Sequence, residues 1–286
     1  MTPRARTNAP DELLFASLAA DNATPFYRLL VGYLSRRLSR PVRLLDDVPW
    51  PERERRLARG MAHVGLVCGL QYIYAQQRRD EPGVELLAAP VMRGRRYQSR
   101  PIYFSDVVVR RDHPAQSFDA LRGARWAYNE PTSHSGYNVT RFTLATRGHH
   151  SGFFGQAVET GAHQQSLDWV LDGTVDASAI DSTVLEQELR NRPGVASSIR
   201  VLTTLEASPI PPLVVSRTLP ETLRNHLRAV LLRMHEDAAA EEVLTVGAIR
   251  RFVRVTDADY DAIRAMASTA NDVTLDGMTT TLLIPR

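Results

Sequence analysis

The chain has 286 residues, with 35 basic and 32 acidic side chains and a formal net charge of +3. Hydrophobic residues make up 43% and charged residues 23%, which is typical of a globular chain and excludes collagen, a low-complexity polymer and a disordered tail. The nearly balanced charge is not the concentrated basic footprint of a nucleic-acid binder. The single cysteine, Cys68, excludes an internal disulfide and a cysteine-based zinc cluster.

No stretch of the sequence reaches the ~18 apolar residues that a membrane-spanning helix needs. The apolar run 13–20 near the start is short and has acidic residues on both sides, so it predicts a strand and not a secretory signal. We therefore expect no membrane span. Two localisations stay open: cytoplasmic for the chain as given, and periplasmic or extracellular if a leader has been removed.

Apolar runs alternate with amphipathic stretches along the chain. This βαβα rhythm predicts an α/β fold with a largely parallel sheet. The predicted strands are 13–18, 41–45, 63–68, 86–91, 102–110, 125–128, 155–160, 177–180 and 213–216. The predicted helices are 25–38, 50–61, 118–121, one that begins at 133, 164–171, 220–235, 241–244 and 257–266. We expect Thr24 or Asn22 to cap the first helix.

Two long extended segments, near 102–110 and 200–215, divide this pattern. Because each can carry the chain from one lobe to another, they predict two crossings between lobes. The predicted domains are a discontinuous first lobe, 1–106 plus 207–286, and an inserted second lobe, 107–206.

The run Ser133-His134-Ser135-Gly136 follows a predicted strand and opens a helix. Backbone N–H groups at a helix start have no partner within the helix, and the helix dipole favours an anion there. The hydroxyls of Ser133 and Ser135 add further donors. The run therefore predicts either an anion site or ordinary helix capping by Ser133.

Two further polar residues occupy similar places in the predicted lobe. His163 stands at a helix start, where it can donate to an oxyanion, and we expect it to bind better when protonated. Asp181 follows the predicted strand 177–180, and ligands of open α/β sheets lie beyond such strand ends. Helix capping is the alternative for each. Together with a serine they also have the residue types of a hydrolase triad, but the G-x-S-x-G elbow is missing.

These segments together resemble a known family. The sequences W-A-Y-N-E-P-T-S-H-S-G-Y at 126–137 and G-A-H-Q-Q-S-L-D-W-V-L-D-G-T-V-D-A-S-A-I-D-S at 161–182 are similar to the phosphate/phosphite/phosphonate substrate-binding proteins of ABC transporters. Weaker similarity extends over about 12–266 and includes S-P-I-P-P-L-V-V-S-R-T-L-P. In that family a serine-threonine-serine run holds the oxyanion, so His134 replaces the middle hydroxyl and can donate an N–H in its place.

The resemblance implies a type II periplasmic-binding fold, in which two α/β lobes, each a mostly parallel sheet flanked by helices, close on a small ligand. The serines would hold an anionic head, Asp181 would meet an amino or hydroxyl end, and aromatic residues of the first lobe would cover the carbon side. The ligand-binding residues that it implies are Ser133, His134, Ser135, Gly136, His163, Asp181, Tyr103, Trp50 and Tyr72. No catalytic residue, metal or cofactor is expected.

The expected function is that of a monomeric solute-binding protein for ABC-type uptake. Its ligand would be phosphate, phosphonate or a related oxyanion ester, and its partner an ABC permease. Nucleic acid is not an expected partner. The alternatives are a cytoplasmic enzyme of the same fold, similar to those of pyrimidine-precursor or menaquinone pathways, and a ligand sensor.

Overall fold

A computed structural model describes residues 9–275. Its strands are β1 Leu13–Ser17, β2 Val42–Leu44, β3 Val64–Leu66, β4 Val84–Met92, β5 Ile102–Tyr103, β6 Ser105–Arg110, β7 Arg125–Tyr128, β8 Gln156–Glu159, β9 Ala177–Asp181, β10 Ile199–Thr204, β11 Ser208–Pro209, β12 Leu213–Ser216 and β13 Ile249–Val253. Its α-helices are α1 Thr24–Leu38, α2 Trp50–Ala58, α3 Gly69–Ala75, α4 Val139–Thr146, α5 His163–Leu171, α6 Ser182–Asn191, α7 Val195–Ser198, α8 Glu221–Leu232, α9 Glu241–Val246 and α10 Asp261–Thr269. No helix of this part of the chain is both long and apolar enough to cross a membrane.

The described chain divides into two compact units. Unit 1 comprises 9–102 and 209–261, and unit 2 comprises 103–208 and 262–275. The lobe boundaries predicted from the sequence differ from those of the two units by a few residues at the two predicted crossings. They differ more at the C-terminal segment 262–275, which was expected in the first lobe. That segment joins unit 2 because Met266, Val273 and Leu275 are buried in the hydrophobic core of unit 2.

Unit 1 is built on a six-stranded sheet of order β13-β4-β12-β3-β1-β2. β1 is parallel to β2 and β3, whereas β12 is antiparallel to β3 and β4, and β13 is antiparallel to β4. The α/β prediction is confirmed, but the expected parallel arrangement holds only for β1 to β3, because the returning strand β12 enters the sheet in the opposite direction. A 3-10 turn precedes α1, whose N-cap is Ala23, so neither Thr24 nor Asn22 occupies the predicted cap position.

Unit 2 is built on a five-stranded sheet of order β10-β6-β9-β7-β8. β7 is parallel to β8 and β9, and β6 is antiparallel to β9 and β10. The fully buried Trp126 of β7 stacks on Phe154 with 4.4 Å between ring centroids. Because β7 and β9 are parallel neighbours, the segments that follow Tyr128 and Asp181 leave the sheet at the same edge.

Arg141 of α4 attaches the C-terminal segment to unit 2. Its guanidinium donates to the backbone carbonyls of Val273, at 2.6 Å, and of Ala270 and Asn271. Hydrogen bonds to charged groups contribute about 1.5–3 kcal/mol each, so we expect Arg141→Ala to lower the free energy of unfolding by about that amount or more. Urea unfolding measures the change. Arg190→Ala, on the exposed side of α6, is the control and should unfold like the wild type; equal stability of both variants would contradict the prediction.

Candidate functional site

A π-helical turn, His134–Asn138, lies between β7 and α4 and continues directly into α4. The amide of Asn138 donates to the carbonyl of Ser133 at 3.0 Å, five residues back, and Ser133 Oγ accepts from the amide of Gly136 at 3.1 Å. Single π-turns are rare and occur frequently at functional sites. The predicted cap by Ser133 is confirmed. The turn also directs the first amide groups of the helical segment toward its N-terminal end, where an anion is favoured.

Ser135 and His163 meet inside unit 2. Ser135 Oγ lies 3.0 Å from Nε2 of His163, the first residue of α5, and both residues are buried. The other ring nitrogen, Nδ1, is buried and has no hydrogen-bond partner among residues 9–275. A hydrolase triad needs a carboxylate on that nitrogen to orient the ring. Within residues 9–275 the pair is therefore a serine–histidine dyad without a third member.

The protonation state of His163 differs from the expected one. Burial lowers the pKa of His163 to about 4, because the charged imidazolium loses its hydration. At neutral pH the ring is neutral and has a single N–H. His163 therefore contributes as a neutral donor or acceptor through Ser135, and not as the protonated donor that the sequence suggested.

His134 is fully buried, and both of its ring nitrogens have partners within unit 2. Nδ1 lies 3.1 Å from the side-chain amide nitrogen of Asn138, and Nε2 lies 2.9 Å from Ser208 Oγ. Since an amide nitrogen only donates, Nδ1 accepts and the neutral ring donates from Nε2 to Ser208. Burial lowers the pKa of His134 to about 3. The ring thus supports the turn from inside, which differs from the expectation that it donates to a ligand.

Gly136 lies where a larger residue would force neighbouring side chains to move. A Cβ atom at Gly136 would stand 2.0 Å from Asn129 Oδ1 and 3.0 Å from Cε1 of His163. Asn129 Oδ1 is buried and has no hydrogen-bond partner within the described chain. Sequence analysis missed both Asn129 and Asn138. The position of Asn129 directly after β7, at a strand end like that of Asp181, was the available signal.

Asp181 is the last residue of β9 and the N-cap of α6. Its Oδ1 accepts from the amide and the hydroxyl of Thr183, both at 2.7 Å, so the capping alternative is confirmed. Burial raises the pKa of Asp181 to about 6, and the charge of Asp106 adds to the rise, whereas the bonds from Thr183 oppose it. A buried carboxyl that titrates near neutral pH beside a polar turn is characteristic of functional sites.

The three predicted aromatic residues lie in different places. Tyr103 belongs to unit 2, where its buried ring lies 6.4 Å from the ring of His134. Trp50 and Tyr72 belong to unit 1. Trp50 Nε1 donates to the carbonyl of Leu18 at 3.4 Å, and the Tyr72 hydroxyl donates to Asp257 Oδ1 at 2.8 Å. Contact of these aromatic side chains with a ligand stays a prediction.

Metal binding has no support in the described part of the chain. No group of three or more histidine, cysteine, aspartate or glutamate residues within 9–275 is arranged to hold a metal ion. The polar groups of the site are instead hydroxyls, imidazoles, amides and one carboxyl. Such groups recognise a ligand by hydrogen bonds.

Two mixed α/β units, between which the chain passes after residues 102, 208 and 261, define the class of type II periplasmic binding proteins, and unit 2 carries the polar helix start. Within this class, the chain belongs to the family of phosphonate periplasmic substrate-binding proteins of ABC transporters, whose model matches residues 15–260. The resemblance inferred from 126–137 and 161–182 is thereby confirmed. The family consists of substrate-binding proteins of ABC transporters, which supports a solute-binding role and does not favour the enzyme or sensor alternatives.

Solved structures show the same fold at low sequence identity. The binding-protein component of an ABC phosphonate transporter from Pseudomonas aeruginosa is 17% identical, with 92% of this chain and 87% of that chain covered and a TM-score of 0.80. PhnD1 from Prochlorococcus marinus, solved with methylphosphonate, is 18% identical, with 92% and 100% covered and a TM-score of 0.79. XAC2383 from Xanthomonas citri, solved with ATP, is 16% identical, with 92% and 98% covered and a TM-score of 0.71.

Proposed function

We propose that this protein binds the tetrahedral oxyanion head of a phosphonate or phosphate-type ligand at the turn 133–136 and delivers it to an ABC permease. The observation that carries the proposal is the pairing of Ser135 with the neutral, buried His163 at the start of a helical segment. The relative from Prochlorococcus marinus, solved with methylphosphonate, supports this ligand class.

The chemistry of the turn suits an anion that needs many short hydrogen bonds. If His163 donates from Nε2 to Ser135 Oγ, the Ser135 hydroxyl hydrogen is available to an oxyanion. The amide groups at the start of the helical segment point to the same end, and hydrogen bonds to a charged acceptor are about twice as strong as neutral ones. Because these donors are neutral, the empty site carries no buried positive charge, which would be costly in its low-dielectric surroundings.

Asp181 would define the other end of the ligand. As a carboxyl, it accepts hydrogen bonds from an amine or hydroxyl and repels a second anionic group. Its position at the end of β9, which packs against the π-helical turn, places it in the same region of unit 2. We therefore expect preference for ligands with one oxyanion head and a donor at the far end.

A thermal-shift screen of methylphosphonate, phosphate, phosphite, ATP and sulfate tests the proposed ligand class. A ligand at about 100 times its dissociation constant adds about 2.7 kcal/mol to the free energy of unfolding. We expect this stabilisation with a phosphonate or phosphate compound, and Ser135→Ala should weaken binding about 10- to 100-fold, the equivalent of one charge-assisted hydrogen bond. The control Ser151→Ala, at an exposed bend, should bind normally. No stabilisation by any tetrahedral anion would overturn the proposal.

The titration of Asp181 predicts that ligand affinity depends on pH when the ligand has a hydrogen-bond donor at the end away from its oxyanion head. Since the pKa of Asp181 is about 6, its carboxylate forms between pH 5 and 7. The affinity for a phosphonate with a terminal amine should therefore rise relative to that for methylphosphonate over this range. Asp181→Asn should remove the part of this rise that Asp181 causes and leave only the titration of the ligands themselves. An equal change with pH in the wild type and in Asp181→Asn would contradict the role of Asp181.

A further inference from the structure

A second polar cavity lies in unit 1, apart from the residues of the proposed oxyanion site. It has a volume of about 520 Å³ and lies among α3, the start of β4, α8 and the segment after β13. Four arginines line it: Arg217, Arg224, Arg228 and Arg254. This volume is within the range of about 300–1,000 Å³ that is usual for small-molecule sites.

The arginines of this cavity are only partly compensated by acidic side chains. Arg228 Nη2 and Arg224 Nε share a single oxygen of Glu85, at 2.7 and 3.5 Å, and Arg224 Nε has no hydrogen-bond partner. Arg217 donates to the neutral side chain of Gln76 at 3.3 Å. Arg254 is exposed and has no hydrogen bond or ion pair within the described chain. Arg217 and Arg254 therefore offer guanidinium donors that no carboxylate of residues 9–275 occupies.

The other polar groups of the cavity restrict the ligand further. The carboxyl groups of Glu221 and Asp257 also line it, and Asp257 accepts from the Tyr72 hydroxyl. Carboxylates repel a bare polyanion, but they accept hydrogen bonds from hydroxyl groups. Guanidinium groups favour the oxygens of a phosphate, which they bind in a bidentate manner. The combination matches a molecule that carries one phosphate and several hydroxyls.

We propose that unit 1 has a second binding site, in this arginine-lined cavity, for a hydroxyl-rich organic monophosphate such as a sugar phosphate. Arg217 and Arg254 bind the phosphate, and Glu221 accepts from hydroxyls. Tyr72, which the sequence assigned to the primary ligand, lines this second site. The site is independent of the turn 133–136, so it stands or fails separately from the proposed function.

Calorimetric titration of the full chain at constant ionic strength tests the site, with glucose 6-phosphate as the probe and inorganic phosphate and glucose as comparisons. We expect one equivalent of glucose 6-phosphate to bind the Ser135→Ala variant, in which the turn is impaired. Added to Ser135→Ala, the double change Arg217→Gln/Arg254→Gln should lower the affinity for glucose 6-phosphate at least 10-fold. In the otherwise wild-type chain, the same double change should leave methylphosphonate binding normal. The control Arg233→Gln, an exposed arginine outside this cavity, should bind both ligands normally.

Three results would overturn the proposal. If glucose 6-phosphate does not bind Ser135→Ala, then it binds the wild type at the turn 133–136 or not at all, and the cavity is not its site. If the double arginine variant keeps its affinity for glucose 6-phosphate, the phosphate group does not bind at Arg217 and Arg254. Inorganic phosphate that binds the cavity as tightly as glucose 6-phosphate contradicts the hydroxyl contacts on which the ligand class rests.

Discussion

Replacing Gly136 with alanine is expected to weaken oxyanion binding about 100-fold while the rest of the fold persists. The added Cβ atom would lie 2.0 Å from Asn129 Oδ1 and 3.0 Å from His163 Cε1, so both side chains must move. Such overpacking typically costs about 1–3 kcal/mol of stability. Displacement of His163 also disturbs its 3.0 Å contact with Ser135 Oγ, and the shift of Asn129 alters the same turn, so we expect an affinity loss of about 100-fold, equivalent to about 2.7 kcal/mol.

The control for this variant is a second glycine-to-alanine change. Gly194 has helical backbone angles, and a Cβ atom there meets nothing within 4 Å. Gly194→Ala should therefore be neutral or slightly stabilising, since alanine restricts the unfolded chain. Isothermal titration with methylphosphonate, together with thermal unfolding, measures both effects. Normal methylphosphonate affinity in Gly136→Ala would show that the geometry of this turn is not required for binding.

The free energy of unfolding should fall steeply below about pH 6.5 because two neutral histidines are buried in unit 2. The pKa is about 3 for His134 and about 4 for His163 in the folded protein, against an ordinary value of 6.5. As the pH falls below 6.5, the unfolded chain takes up protons that the folded protein cannot bind, which costs several kcal/mol by the time pH 4 is reached. Asp181 acts in the opposite direction, since its raised pKa favours the folded state as the pH falls from 6, but its shift is smaller than the two histidine shifts together.

Urea unfolding between pH 7 and 4.5 tests this dependence. His134→Gln removes one titrating group, and its amide can still accept from Asn138 and donate to Ser208. This variant should lose less stability than the wild type as the pH falls. His226→Gln, on the exposed side of α8, should follow the wild-type curve. Parallel curves for all three proteins would mean that His134 titrates normally.

Elements with a clear hydrophobic period were predictable from the sequence. The helix predicted at 25–38 is observed as α1, and the predicted strands at 125–128 and 213–216 are observed as β7 and β12 with the same bounds. The signal in each case is local, because apolar residues recur with the period of the element itself. Such segments specify their structure before any tertiary contact is considered.

The missed elements depend on signals that are weak or not local. α3 opens at a glycine and contains aromatic and β-branched residues of modest helix propensity, and its cap is the unusual residue Cys68. α6 follows β9 without a loop, so Asp181 ends the strand and caps the helix at once. β13 carries two adjacent arginines and becomes a strand by pairing with β4. In that case the tertiary partner, and not the sequence pattern, decides the structure.

The site was predictable in its chemistry but not in its connections. The serine run, His163 and Asp181 were identifiable because each stands at the junction of a strand and a helix. The contact of His134 with Ser208 could not be predicted, since 74 residues separate the two. Nor does spacing reveal that burial keeps both histidines neutral. Burial therefore changes the roles expected of these imidazoles, and the position of the ligand site stays a prediction.

The central claim is that the ligand's oxyanion head lies at the turn 133–136, and amide chemical shifts test it most directly. The measurement is a titration of the ¹⁵N-labelled protein with methylphosphonate, in which the amide signals of Ser135 and Gly136 are followed. The account predicts that these signals show the largest saturable shifts, because the Ser135 amide donates to the anion and the Gly136 amide, which donates to Ser133 Oγ, lies beside it. If they stay unchanged while signals elsewhere in the chain saturate, the oxyanion binds at another place and the account is wrong.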